Sequence, residues 1–257
     1  MSPTRYVFGV YHWRRRFRSI GLALAAIALA AVFRRRTADP LRRAAAESVA
    51  VGASVHVVRV LRRMLSPPPW AVERAKYDAL AERLPLADAE RILDVGCGTG
   101  RSLVGMAPHV PPGRDVVGLD VFDSRIVLGN GPELARRNGA RAGLEVTPIV
   151  GDGAALPLAD GSVAVVTACR VLHDLEASAV DRALREIHRV CEPDGAFGLL
   201  ELPLVPAGVS SDPDRYWPDR VSAAGFRIDV LERLERDGNA DPYLVLVATP
   251  IAEPDDG

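Results

Sequence analysis

The sequence predicts an α/β protein built on a doubly wound, mostly parallel seven-stranded sheet, preceded by a helical extension. Three observations predict it. From Arg91 onward, short runs rich in Val, Ile and Leu alternate with helical stretches, which is the pattern of a parallel sheet covered on both faces. The first run, Arg91–Val95, breaks into glycines at 96, 98 and 100 and then into a polar-start helix. Between the last two runs lie only the six residues Asp237 to Pro242, enough for a hairpin but not for a parallel crossover.

The chain has 257 residues, 48% hydrophobic and 25% charged, which is enough for one sizeable domain and an appendage. A net charge of −1 conceals an asymmetry. Residues 1–65 hold thirteen arginines against Asp39 and Glu47, a net +11; the remaining 19 basic and 31 acidic residues leave −12. A basic arm suits an anionic membrane surface or nucleic acid, while the acidic remainder argues against a broad nucleic-acid groove on the domain itself. Cys97, Cys169 and Cys191 show no metal-ligand spacing and no disulfide framework, as expected of a reducing cytoplasm.

Taken in order, Arg14-Arg15-Arg16-Phe17-Arg18 precedes an uncharged run from Ser19 to Phe33, closed by Arg34-Arg35-Arg36. Fifteen residues fall short of the roughly 20 usual for a bilayer span, although arginine stems at both ends can snorkel. A second stretch, Ala44 to Leu61, is interrupted by Glu47, Ser48, His56 and Arg59 and reads as amphipathic. Residues 1–65 are therefore expected to be a basic, helical membrane anchor, as a short hairpin or as interfacial helices. A signal peptide fits less well, because arginines follow the run at once. The remaining alternative is a soluble Ala-rich extension packing on its own domain.

Ser66-Pro67-Pro68-Pro69 marks a semi-rigid boundary, and Trp70 to Leu84 shows helical periodicity, so residues 66–84 read as linker and leading helix with Trp70 and Tyr77 as packing residues. The domain proper occupies 85–250, and 251–257 form an acidic tail. Its strands are expected at 91–95, 115–120, 145–150, 163–169, 196–202, 227–233 and 243–249. Helices are expected near 100–107, 131–139, 176–191 and 214–224.

The chemistry concentrates at the carboxyl ends of these strands. Glycine tolerates positive φ and lets a ligand approach the backbone. A dinucleotide fingerprint reads G-x-G-x-x-G and puts a pyrophosphate on a helix N-terminus. Here the pattern is D-x-G-x-G-x-G from Asp94 to Gly100, and a carboxylate facing that site repels a pyrophosphate and favours a cationic amine. Asp120, ending the second strand twenty residues beyond Gly100, stands where an acid takes the hydroxyls of a ribose. Asp123 competes for that role.

The Asp94–Gly100 segment resembles motif I of the class I S-adenosylmethionine-dependent methyltransferases, and Gly151-Asp152-Gly153-Ala154-Ala155-Leu156-Pro157 resembles the family's segment whose Asp accepts the adenine amino group. Glu192-Pro193-Asp194-Gly195 resembles its turn before the fifth strand. The resemblance covers about 85–250. It implies a Rossmann-like methyltransferase fold with a final antiparallel hairpin, S-adenosylmethionine as cofactor, and cofactor-binding roles for Asp94, Gly96, Cys97, Gly98, Gly100, Asp120, Asp152 and Gly153. A weaker likeness points to small-molecule enzymes such as the quinone-biosynthesis C-methyltransferases, hence to a small or lipid-like acceptor methylated at the cytoplasmic face of a membrane. No nucleic-acid partner and no metal are expected.

His173, in the segment Cys169 to Asp174 that follows the fourth strand, is the candidate catalytic base, since imidazole titrates near neutral pH. Capping the next helix is its competing role. A non-catalytic cofactor-binding or partner-binding module of the same fold is the alternative function, and a nucleotide-dependent oxidoreductase is disfavoured by the glycine spacing and Asp94.

Overall fold

The computed structural model describes residues 6–66, 68–236 and 242–251. It divides into two compact units. One is formed from Tyr6 to Ala71 together with Asp123–Asn130, and the other from Val72–Phe122 and the chain from Gly131 onward. The boundary expected at 65/66 therefore lies six residues later, and eight residues expected within 85–250, Asp123–Asn130, belong with the extension.

In the first unit, α1 (Trp13–Arg36) and α2 (Pro40–Met64) pack on each other. Asp39 starts α2: its side chain accepts from the Leu41 amide at 2.9 Å, and Pro40 supplies a preset first helical residue. Ahead of α1, the chain pairs with 123–130. The Leu128 amide donates to the Val10 carbonyl at 3.0 Å and the His12 amide to the Ile126 carbonyl at 2.7 Å. Trp70 is 52% exposed and lies in a turn, so it is no core residue.

The second unit opens with α3 (Arg74–Ala81), shorter than the periodicity of 70–84 suggested because Val72 and Glu73 remain extended. Then follow β1 (Arg91–Val95), α4 (Arg101–Met106), β2 (Asp115–Asp120), α5 (Pro132–Arg141), β3 (Val146–Val150), β4 (Val163–Cys169), α6 (Ala177–Val190), β5 (Cys191–Glu201), α7 (Pro213–Ala223), β6 (Phe226–Leu234) and β7 (Tyr243–Pro250). The strand order is β3-β2-β1-β4-β5-β7-β6, with β7 antiparallel to both neighbours and every other pairing parallel. The expected seven strands and closing hairpin are present; most of the hairpin's loop, 237–241, lies outside the described residues, as does the expected acidic tail beyond Ile251.

Central strands are apolar on both faces because helices cover both. Leu93, Val166, Phe197 and Leu199 are buried in the main core, and α6 adds Val180, Ala183, Leu184, Ile187 and Val190 at the spacing of one helical face. The turn expected at Glu192–Gly195 lies inside β5. Cys191 pairs with Val163 and Ala196 with Val165, so the four residues between them bulge opposite Ala164. A Cβ on Gly195 would stand 2.7 Å from the Ala164 carbonyl oxygen, so only glycine fits there.

Candidate active site

Order reverses between β1 and β4, and ligands of open α/β sheets bind at that switch, beyond the carboxyl ends of the strands. The glycine loop leaves β1 there. Gly96, Gly98 and Gly100 adopt φ of 73°, 52° and 77°, in the left-handed region that penalises a Cβ. At Gly96 a Cβ would also strike the Val171 side chain, with contacts of 2.3–2.9 Å, so glycine lets the chain after β4 lie directly on the loop.

The loop's amides are already engaged. Gly96 and Cys97 donate to the Leu119 carbonyl at 2.7 and 3.1 Å, Gly100 donates to the Cys97 carbonyl at 2.8 Å, and Gly98 donates to Asp120 Oδ2 at 3.0 Å. A pyrophosphate cradle needs such N–H groups aimed at the ligand; here they hold β2 and its terminal carboxylate instead.

Asp120 also accepts the Phe122 amide at 2.5 Å on Oδ1. Each carboxylate oxygen can accept more than one hydrogen bond, a chemistry that suits a pair of vicinal hydroxyls. Its competitor, Asp123, belongs to the other unit and forks onto Arg125 at 2.8–2.9 Å, which lowers its pKa. Asp152 is exposed after β3; its Oδ1 accepts the Ala154 amide at 2.9 Å, and the Gly151 amide donates to the Asp120 carbonyl at 3.1 Å, so the two acids share one end of the sheet. Gly153 lies beside them, with Val95 Cγ1 3.0 Å from where its Cβ would stand.

Two motif positions are placed differently from a simple reading of the loop. Asp94 is fully buried beneath it, with Oδ1 accepting the Thr167 hydroxyl at 2.8 Å and Oδ2 the Ser102 hydroxyl. Burial pushes its pKa up to about 7 against those hydrogen bonds, and the nearby Asp120 charge adds to the rise. Its carboxylate braces β1, β4 and α4 from beneath the loop. The Cys97 side chain is likewise buried, in the cluster with Leu103, Val116 and Ala135, with burial raising its thiol pKa.

His173 sits on the short turn Leu172–Asp174 after β4. Its Nδ1 lies 2.6 Å from Oε2 of Glu201, the last residue of β5, which is completely buried. Oε1 of Glu201 accepts the Val171 and Leu172 amides at 3.0 and 2.8 Å. Such a carboxylate takes a proton on Nδ1 and leaves Nε2 of the neutral ring as the acceptor. Asp174 Oδ1 lies 3.7 Å from Nε2, too far for a hydrogen bond. Burial works against the imidazolium, but the hydrogen bond and charge of Glu201 outweigh it, and the His173 pKa is raised above its ordinary value. Glu201 was missed in the sequence. The signal was present, since it ends an apolar strand as Asp120 does, but nothing in the chain pairs it with His173.

Arg170, also unforeseen, occupies the left-handed region at φ 59°, a conformation uncommon for a residue with a side chain, at the carboxyl end of β4. Burial works against its guanidinium, but the nearby Tyr77 of α3 and Tyr243 of β7 outweigh it and raise its pKa.

Comparison with known proteins agrees with this geometry. The family described as "Methyltransferase domain" matches residues 92–195. A demethylmenaquinone methyltransferase of Thermus thermophilus is 34% identical over 135 residues, covering 52% of this chain and 56% of the relative. The demethylmenaquinone methyltransferase of Corynebacterium efficiens is 32% identical over 175 residues, covering 56% of this chain and 67% of the relative. The chain belongs to the class I S-adenosylmethionine-dependent methyltransferases. Among solved structures, the cyclase SpnF shares the fold of this methyltransferase-family chain with a TM-score of 0.55 at 23% identity, covering 68% of this chain and 81% of that one. The chain spans about half the length of the first curated relatives it matches, 56% of the Thermus enzyme.

The residues present fit the family's cofactor, S-adenosylmethionine. Asp120 and Asp152 share one end of the sheet beside a loop whose glycine amides are engaged, with Asp94 buried beneath it, and these acceptors suit a cationic, hydroxyl-bearing ligand rather than a phosphate. In this family member, Asp120→Ala is expected to weaken S-adenosylmethionine binding by about 1.5–3 kcal/mol, the value of hydrogen bonds to a charged group. Asp120→Asn, which keeps an acceptor for the Gly98 amide, should lose less. Titration calorimetry on the full chain measures both; wild-type affinity in Asp120→Ala would remove Asp120 from the site.

Proposed function

We propose that the protein transfers the methyl group of S-adenosylmethionine to a small or lipophilic acceptor of the quinone type, at the cytoplasmic face of a membrane to which residues 1–65 attach it. The observation that carries the reading is the glycine loop, whose Gly98 amide binds the Asp120 carboxylate at the carboxyl end of β2. Residues 66–84 serve as linker and leading helix and 85–250 as the catalytic domain.

S-adenosylmethionine supplies an electrophilic methyl on a sulfonium centre. The chain's part is to position and to handle a proton. Asp120 accepts the ribose hydroxyls, and Asp152, with its free oxygen, accepts the adenine amino group. Gly96, Gly98 and Gly100 let the ligand close on the backbone, with Gly153 beside Asp152. Cys97 and Asp94 hold the loop from beneath. In-line displacement requires mostly orientation and exclusion of water. Where the acceptor is a hydroxyl or an acidic carbon, His173 Nε2 takes its proton and Glu201 stabilises the imidazolium that forms.

The test is incubation of detergent-solubilised full chain with methyl-labelled S-adenosylmethionine and a lipid extract rich in demethylated quinones. Label in the organic phase is the expected result. Binding of the cofactor without transfer would select the non-catalytic module of the same fold, and absence of cofactor binding would sink the reading.

A further inference from the structure

The helical extension is packed inside out. Of the residues in α1 and α2, only Ala23, Ala30 and Ala46 are buried, whereas Leu22, Leu24, Leu29, Phe33, Val51 and Val58 are each about half or more exposed. A pair of helices stabilised by water would turn leucines inward and leave alanines out. Between transmembrane helices the preference reverses: small residues let the backbones approach, and large apolar side chains meet lipid. Among the most apolar 18 residues of each helix, 11% and 6% are buried.

The polar side chains of the same region are accounted for one by one. In the uncharged run of α1, Ser19 Oγ lies 2.6 Å from His56 Nε2 of α2. Glu47, the acid in the apolar part of α2, pairs with Arg34 Nε at 2.6 Å. Ser48 and Ser54 donate to the Ala44 and Ala50 carbonyls one turn back, at 2.9 and 2.8 Å. Three of the four residues that made α2 look amphipathic in the sequence, Glu47, Ser48 and His56, are thus satisfied within the hairpin, as hydrocarbon requires of polar groups that enter it, and the fourth, Arg59, joins the charges at the open end. A helix lying in the interface needs a charged face along its length; here the charges gather at the ends.

Antiparallel packing collects those charges into two collars. Arg34, Arg35, Arg36, Arg42 and Arg43 surround the turn, and Arg14, Arg15, Arg16, Arg18, Arg59, Arg62 and Arg63 surround the open end. The Arg16 guanidinium donates to the Arg63 carbonyl at 3.4 Å, joining the two arms there. Whole helices of 24 and 25 residues extend about 36 Å at ~1.5 Å per residue, enough for a hydrocarbon core of about 30 Å once the arginine stems reach outward. Tyr11, Trp13 and Phe17 cluster at the open end, where Trp13 Nε1 donates to the Ser124 carbonyl at 2.9 Å, and such aromatics settle at headgroup level.

We propose that α1 and α2 cross the bilayer together as a helical hairpin, with the Thr37–Asp39 turn on the outer face and the open end on the cytoplasmic side. The larger arginine collar, seven against five, sets that orientation. The loop 123–130, which starts three residues after Asp120 and pairs with the segment before α1, then lies at the same interface as the aromatics. This deepens the membrane attachment in the proposed function and rests on it, but does not depend on which acceptor is methylated.

The experiment is cysteine accessibility in the full-length chain. Ala38→Cys in the turn and Ser66→Cys beyond α2 are both exposed positions outside helices, so neither substitution disturbs packing. Each is compared with the unchanged chain, whose Cys97 and Cys191 are buried, to subtract background labelling. In intact bacterial cells a membrane-impermeant maleimide should label Ala38→Cys, and should label Ser66→Cys only after permeabilisation. Labelling of Ala38→Cys only after permeabilisation would overturn the crossing and leave an interfacial hairpin. Labelling of Ser66→Cys from outside would overturn the orientation, and full-length protein in the soluble fraction would overturn both. Methyl transfer by the solubilised chain is read separately, so its failure would leave the topology result standing.

Discussion

Replacing His173 by alanine is expected to slow turnover roughly 10²–10⁴-fold, the usual contribution of a positioned acid–base group, with S-adenosylmethionine affinity nearly unchanged. The proposed binding groups lie on the glycine loop and at Asp120 and Asp152, whereas His173 pairs with Glu201. The pH profile carries the second signature. Glu201 raises the His173 pKa, so the neutral, proton-accepting form dominates only above the ordinary histidine value of about 6.5. The acid limb of turnover should therefore fall above that value, and Glu201→Gln should move it down. The linkage to stability has the matching sign. The His173–Glu201 ion pair stabilises the fold fully below the unfolded histidine pKa, and the contribution is lost as pH rises through the higher folded value. Equal turnover in wild type and His173→Ala would mean that the acceptor is already a nucleophile and that positioning alone sets the rate.

Glu201→Ala should cost the most stability of any single change at the site, about 3–5 kcal/mol as for a broken buried pair. Glu201 is wholly buried and its carboxylate serves the Val171 and Leu172 amides, the Leu202 amide at 3.2 Å and the His173 ring. Truncation strands these donors away from water, and the segment that lies over Gly96 loses its anchor. A fall in melting temperature on the order of 10 °C is expected for a domain of this size, read by thermal unfolding of the solubilised chain. Glu201→Gln keeps oxygen and shape and should retain most of the stability while shifting the pH limb. A Glu201→Ala variant that melts with wild type would show that this carboxylate supports neither the turn nor the histidine.

The separation between what was legible and what was not follows the range of the interactions. Strand and helix positions in the second unit were readable because periodicity and glycine spacing are local signals. The strand ends carrying Asp94, Asp120 and Cys169 agree with the alternation of apolar runs, and the six residues from 237 to 242 alone required the hairpin. Element edges moved where pairing overrode pattern, as in β5, which begins at Cys191 because a bulge opposite Ala164 absorbs Glu192–Gly195.

The sequence by itself determined the sheet, the position of the glycine loop, the family, and the presence of a basic apolar extension, since each is encoded in residues adjacent in the chain. Only the tertiary structure decided which way the side chains face and whom they meet. Asp94 is at the expected position but turns beneath the loop, because Thr167 on β4 and Ser102 on α4 supply the hydroxyls that make its burial tolerable. His173 gains its partner from 28 residues away. In the extension, Glu47 and His56 read as polar interruptions until folding set Arg34 and Ser19 against them, and alanines buried against leucines exposed is a statement about facing surfaces that no one-dimensional pattern contains.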